Sequence, residues 1–323
     1  MEKIPKVNAT TSIKMLSVLT QPNFPKAAIG LEKQNITALS LQKEGRGFGI
    51  KQAATIELPS NLLTPSFLDR NISNARELAV LLEEAVASAG LLGQKNWSVS
   101  LPSNTARSAI LTLETASAKD ESEEILDWKA EQSFGAPTGE LRITRQKIAP
   151  DKEGKSRYFA TAVKLSVIDE YETIFEGFGW KTGLILPRAV SETKWLTDDS
   201  NKTDSLLISS QSDGFSAILL RGGEPAVIRT VTCGVAERND EIYRLLMFYN
   251  DRFASGNTEN LLDRILLVGK DLVPAKIKEI SAEALGRALQ ILRPDEVGLN
   301  LPASNLSFDD LAAPAGLAAF GWR

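Results

Sequence analysis

The sequence contains no histidine and a single cysteine, Cys233, which removes most familiar side-chain chemistry at once. Without imidazole there is no Ser-His-Asp triad, no Cys-His pair and no ordinary proton shuttle near neutral pH. One thiol builds no internal disulfide framework and suits a reducing compartment. It also leaves no ligand set for a structural zinc site. Any reaction would have to run on carboxylates, lysine, tyrosine or a bound metal. Glu32-Lys33-Gln34-Asn35 forms a polar turn between two short apolar runs, residues 27–31 and 36–41. Asp120, Glu121, Glu123 and Glu124 cluster ahead of Ile125 and Trp128. Having no converging partners, they read as the charge-complemented start of a helix rather than a metal site. Gly45-Arg46-Gly47-Phe48-Gly49 matches a dinucleotide fingerprint only superficially, because it lies between two strands and opens no helix.

The elements that must position these residues alternate in type. A third strand over residues 50–58, ended by Pro59, follows the opening hairpin. Asn74 with Glu77 makes a capping-box-like start. Leu78, Leu81, Leu82, Ala85, Val86 and Ala89 then recur at helical spacing until Gly90. A strand at 97–101 is closed by Pro102. Three strands, a helix and a strand make an α/β half-domain. Residues 105–178 form a second unit: a strand at 109–113, the acid-led helix, strands near 141–148 and 158–164 around a charged turn, and a helix capped by Ser166 with Asp169. The acid-led helix places Ile125, Trp128 and Gln132 on one face, so Trp128 is core or a partner-facing anchor. Ile168, Tyr171, Ile174, Phe175 and Phe178 form the core stripe of the later helix.

A strand at 183–187 and a helix ending near Trp195 come next, and the polar run 197–203 reads as a linker. Three strands follow (205–209, 215–220, 226–231), then a helix with Ile242, Leu245, Leu246, Tyr249 and Phe253 on one face. A strand at 264–268 and a helix at 274–285 complete that part. Residues 309–320 are rich in small side chains, Ala312, Ala313, Ala315, Gly316, Ala318 and Ala319. They predict a helix buried between two halves. No repeat at a solenoid period is visible.

At 323 residues, with 43% hydrophobic and 24% charged residues, the chain suits two domains or one split domain. The net charge of −4 shows no bias towards nucleic acid, and none is expected as a partner. No stretch approaches the roughly 18–20 apolar residues that cross a bilayer, and the N-terminus carries no signal peptide. A cytoplasmic location is expected. Residues 1–26 hold Lys3, Lys6, Lys14 and Lys26 against one acid, Glu2. They read as a mobile arm, or more sharply as a weak electrostatic contact with anionic lipid.

The succession of segments resembles the PilM family, the actin-like cytoplasmic components of type IV pilus machines and relatives of FtsA. The similarity runs across residues 27–321. Ala28-Ile29-Gly30 with residues 36–41 carries it first, then Ile56-Glu57-Leu58-Pro59 and Val99-Ser100-Leu101-Pro102 with Arg107. Asp127-Trp128-Lys129-Ala130-Glu131 resembles the family's tryptophan-bearing helix. Arg229 with Gly234, Tyr243-Arg244-Leu245, residues 265–269 and Ala315-Gly316-Leu317-Ala318 complete it. The resemblance implies an α/β, actin-like (ribonuclease H-like) two-half architecture with an inserted small α+β subdomain. On that plan 1–26 is the arm, 27–104 the first half and 105–165 the inserted subdomain. Residues 166–200 return to the first half and link onward, 201–300 form the second half, and 301–323 are a C-terminal helix between the halves.

The same resemblance locates the nucleotide positions, and there the sequence departs from the family. In the first phosphate hairpin the family's Asp corresponds to Glu32 and its Gly to Gln34. Glycine is wanted at such a place because backbone amides must close on a phosphate with no Cβ in the way. In the second hairpin Ser209-Ser210-Gln211 stands where Asp, an apolar residue and Gly are expected. At the adenosine motif Gly269-Lys270-Asp271 keeps the first of two glycines. Between Arg229 and Tyr243, where the family inserts subdomain 2B, about a dozen residues remain, far below the ~50-residue lower end of a domain.

These departures lead to an expectation of a non-catalytic adaptor, a pseudo-ATPase with no cofactor and no catalytic residues, peripheral at the inner membrane. Its implied partner is the cytoplasmic tail of a PilN-like membrane protein, docked between the first subdomain and the inserted one. Self-association is a further partner reading. One alternative is an active actin-like ATPase or small-molecule kinase, with Glu32 as the metal-binding acid. Another is the cytoplasmic part of a GspL-like type II secretion protein. That family continues into a transmembrane helix, whereas this sequence ends at Trp322-Arg323.

Overall fold

A computed structural model describes residues 23–114, 122–197, 203–254, 261–302 and 306–322. Most of the expected N-terminal arm (1–22), most of the linker (198–202) and Asp120 and Glu121 lie outside the described residues.

The chain opens with β1 (Ala27–Leu31), β2 (Asn35–Glu44) and β3 (Gly47–Glu57), an antiparallel meander. All five residues of β1 are buried, which suits a central strand covered on both faces. Helix α1 (Ala75–Ser88) follows, its Asn74 side chain accepting from the Glu77 amide, and leads to β4 (Asn96–Leu101), parallel to β1. The chain then leaves for a small sheet made of β5 (Arg107–Thr112), β6 (Leu141–Ile148) and β7 (Arg157–Lys164), in spatial order β5-β7-β6. Helix α2 (Glu123–Phe134) packs on it. Helix α3 (Leu165–Gly177) returns the chain to β8 (Lys181–Pro187), parallel to β4, and the short α4 (Arg188–Glu192) ends this half.

The second half repeats the plan. Strands β9 (Ser205–Gln211), β10 (Gly214–Arg221) and β11 (Glu224–Thr232) form another antiparallel meander. Helix α5 (Arg238–Tyr249) leads to β12 (Arg264–Val268), parallel to β9. Only residues 233–237 connect β11 to α5. Helix α6 (Pro274–Leu285), β13 (Gln290–Ile291) and β14 (Leu299–Asn300) follow; β13 extends the second sheet and β14 returns to pair with β3 of the first. Three strands, a helix, and a parallel strand set beside the first: each half is built this way. The sequence carries no matching repeat, because the shared quantity is strand order and not residue identity.

Helix α7 (Phe308–Ala319) is the wedge between the two sheets. Residues 311–319 are all buried, in one cluster with Ala28, Leu39 and Leu41 of the first sheet and Leu207, Ile218 and Leu266 of the second. Its small side chains set how closely these elements approach. A Cβ on Gly316 would lie 2.2 Å from the Ser191 carbonyl oxygen. The Trp195 indole N–H donates to the Ala312 carbonyl at 2.7 Å.

One open alternative is decided and one local expectation is corrected. Ile125 and Trp128 face outward, 39% and 55% exposed, whereas Leu126, Ala130 and Phe134 are buried against Leu111, Leu141, Ala160 and Ala162. At ~100° per residue Trp128 lies about 200° round the helix from Leu126, so the i, i+4, i+8 stripe wins over the i, i+3, i+7 one. Trp128 is therefore not core. Ser166 does not cap α3. Lys164 still pairs with Leu141 in the ladder and the helix begins at once at Leu165, with no side-chain cap.

Candidate functional site

The C-terminal ends of β1, β4, β8, β9 and β12 and the N-terminus of α7 converge on one cleft of about 320 Å³. Ligands of open α/β sheets sit outside the carboxyl ends of the strands, so this is the place to look. The positions singled out from the sequence are gathered there. Glu32 and Gln34 come from the β1–β2 turn, Gln211 from the end of β9, and Gly269 and Lys270 from the end of β12. Ser209 does not line the cleft. It is fully buried beneath it.

At the floor, Arg188 is held between two acids. Its Nη1 lies 3.1 Å from Glu32 Oε2 and its Nε 2.7 Å from Glu192 Oε1, and Nη2 donates to the Asp309 carbonyl at 3.3 Å. Glu192 is wholly buried and Arg188 nearly so. Burial opposes the guanidinium charge, but the two carboxylates more than offset it and hold its pKa above the ordinary value. Burial also raises the Glu192 carboxyl, against the pull of Arg188. Glu32 is pushed up to about 7, chiefly by burial, with Arg188 opposing and Glu192 and Asp310 adding to the rise. One guanidinium cannot neutralise two acids, and both carboxyls sit above their ordinary range.

The opposite wall is built alike. Arg238, buried at the start of α5, donates to Ser210 Oγ at 2.8 Å and to the Gln211 carbonyl at 2.9 Å, and is ion-paired with Asp271. Ser210 Oγ in turn donates to Asp271 Oδ1 at 2.6 Å. Gly269 adopts φ +143°, and a Cβ there would lie 2.4 Å from Ser210 Cβ, so glycine is required for the ends of β9 and β12 to approach. Its amide points at Asp309 Oδ1, 2.6 Å away. Lys270 pairs with Asp310 at 3.0 Å.

The N-terminus of α7, where partial positive charge favours an anion, is thus filled by the helix's own Asp309 and Asp310, with Ser307 accepting from the Asp310 amide. Five carboxylates line the cleft (Glu32, Asp213, Asp271, Asp309, Asp310) against four cations (Lys33, Arg188, Arg238, Lys270). Among the described residues no three acid or thiol groups are placed to hold a metal ion.

Arg188, Glu192, Arg238 and Asp309 were not picked out by sequence reasoning. The one signal available was an Arg and a Glu four apart inside the apolar segment 184–196, a spacing that pairs side chains on one helix face.

No protein-family model matches the sequence, and no curated protein does. In three dimensions the chain aligns with a chain of the PilM-PilN type IV pilus biogenesis complex, with a TM-score of 0.73 at 15% identity, over 94% of this chain and 100% of that one. The fold is actin-like. A Bacteroides thetaiotaomicron protein with an actin-like ATPase fold and unknown function aligns at 0.49, with 12% identity over 95% and 98% of the two chains. The cytoplasmic domain of EpsL, an inner-membrane component of the Vibrio cholerae type II secretion system, aligns at 0.46, with 9% identity over 92% and 93%. In this actin-like chain the β1–β2 turn, the β9–β10 turn and the 269–271 loop meet at one cleft. In the 269–271 loop the Gly269 amide and Lys270 are engaged by Asp309 and Asp310, and beside the turns Arg188 and Arg238 are engaged by Glu32 and Ser210. Among the described residues no helix is long and apolar enough to cross a membrane.

Proposed function

We propose that this chain is a non-catalytic adaptor with a PilM-like fold, holding the cytoplasmic tail of a PilN-like protein at the inner-membrane platform of a pilus or related secretion machine. The observation that carries the non-catalytic reading is the state of the cleft. Three of the four cleft cations and one loop amide already have internal acceptors: the Gly269 amide has Asp309, Arg238 has Asp271, Lys270 has Asp310, and Arg188 has Glu32 and Glu192. Seating a phosphate would require breaking charge-assisted hydrogen bonds, each contributing roughly 1.5–3 kcal/mol. The displaced carboxylates would then face the anion.

Thermal melting with and without millimolar Mg-ATP tests this. A ligand present at a hundredfold its dissociation constant stabilises by about 2.7 kcal/mol, so a nucleotide-binding cleft gives a clear upward shift. No shift is expected here, and a shift of that size overturns the reading in favour of an active ATPase or small-molecule kinase. The partner half of the proposal is supported by likeness of fold to PilM alone. Titration with the tail peptide of the neighbouring PilN-like protein tests it separately, and absence of binding at tens of micromolar would sink it.

A further inference from the structure

We propose that Asn104 is a strut that holds the two halves of the molecule closed across the cleft with no ligand present. Asn104 lies in the short turn Ser103–Thr105 after β4, where the chain leaves the first sheet for the small one. Its amide makes two bonds to the second half. Oδ1 accepts from Gln211 Nε2 at 2.9 Å, and Nδ2 donates to Asp213 Oδ2 at 2.7 Å. A side-chain amide offers an acceptor and a donor on separate atoms of one planar group. The two contacts fix its orientation, and both would be lost if the cleft opened.

A second brace lies farther out, between the small sheet and the start of β11. The Ala149 amide donates to Glu224 Oε2 at 2.6 Å, and Arg157 Nη2 reaches the carbonyls of Pro225 and Ala226 at 3.4 Å each. At the floor, α7 is tied to the first half through Asn35 and to the second through Lys270, both reaching Asp310. Two-lobed folds that close on ligands keep one side of the cleft free to swing about a few hinge residues. Here floor and rim are both fastened, so the closed form needs no ligand's binding energy. The inference does not depend on the identity of the partner or on the adaptor reading.

The test uses the full chain with Cys233→Ser and spin labels at Leu68→Cys and Val273→Cys. These exposed positions flank the cleft on the first and second halves. Electron–electron distance measurement on the labelled parent should give one narrow distribution without added ligand; a broad or two-peaked one overturns the proposal. Asn104→Asp sets a carboxylate against Asp213 and should lengthen and broaden the distribution. Asn104→Asp with Asp213→Asn restores a donor opposite an acceptor and should narrow it again. Should Asn104→Asp fail to fold by circular dichroism, Asp213→Ala, which removes one leg without adding charge, takes its place. A distribution unchanged in whichever single variant folds overturns the strut.

Discussion

The Glu32 carboxyl offers a quantitative test of the cleft chemistry. Its pKa moves from an ordinary 4.5 to about 7 in the folded chain, so the folded state binds the Glu32 proton more tightly than the unfolded state does. The stability this contributes is complete below about pH 4.5, declines as the pH rises, and is gone above about pH 7. At ~1.4 kcal/mol per unit, a gap of that width corresponds to roughly 3 kcal/mol. Glu32→Gln imitates the protonated acid in shape and cannot ionise. It should come within about 1 kcal/mol of the parent at pH 5 and exceed it above pH 7.5 by up to the full amount. Urea unfolding followed by tryptophan fluorescence at pH 5, 6.5 and 8 reads the difference directly. Parallel pH profiles for parent and variant, or a variant less stable at pH 8, would refute the account of Arg188 as one cation shared by two acids.

Arg188→Met removes that cation and leaves Glu192 buried without its partner, so a loss of about 3–5 kcal/mol is expected. The loss should be larger at pH 8 than at pH 5, and an unchanged urea midpoint would count against it. Gly316→Ala places a methyl against the Ser191 carbonyl; overpacking of that kind costs roughly 1–3 kcal/mol, visible as a lowered melting temperature. Trp128→Ala, on the exposed face of α2, should change stability by no more than ~0.5 kcal/mol. If Trp128 anchors a partner, the same variant weakens tail-peptide binding while melting like the parent.

Most elements could be read from the sequence because their signals are local. The β1–β2 hairpin shows as two apolar runs about a polar turn, α1 as a cap followed by a 3.6-residue period, and α7 as a run of small side chains with no polar interruption. Where two local signals competed, tertiary contact decided. On α2 both faces carry apolar residues, and the partner sheet selects Leu126, Ala130 and Phe134. The start of α3 depends on where the β6–β7 ladder ends, which no capping pattern reports. The site was legible at its turns and illegible at its charges. Glu32, Gln211 and Lys270 lie on loops that pattern and resemblance mark. Arg188 and Arg238 matter because elements distant in sequence bring them opposite Glu32 and Asp271, while Glu192 lies one turn on from Arg188 in the same helix.

The repeated plan of the two halves gives these charges a common logic. Each half delivers one buried arginine to the cleft, Arg188 after β8 and Arg238 after β11, and each is met by carboxylate from within the chain. An uncompensated guanidinium at either place would be costly, since buried charge must be paired. The chain supplies the paired acids itself. Asp271 and the Glu32–Glu192 couple do this, with Asp309 and Asp310 satisfying the Gly269 amide and Lys270 beside them. The two wall pairings are unequal: Asp271 meets Arg238 one to one, whereas Arg188 faces two acids, and both of those carboxyls are raised. Any occupant that restored the balance at Arg188 would have to be neutral or cationic near Glu32.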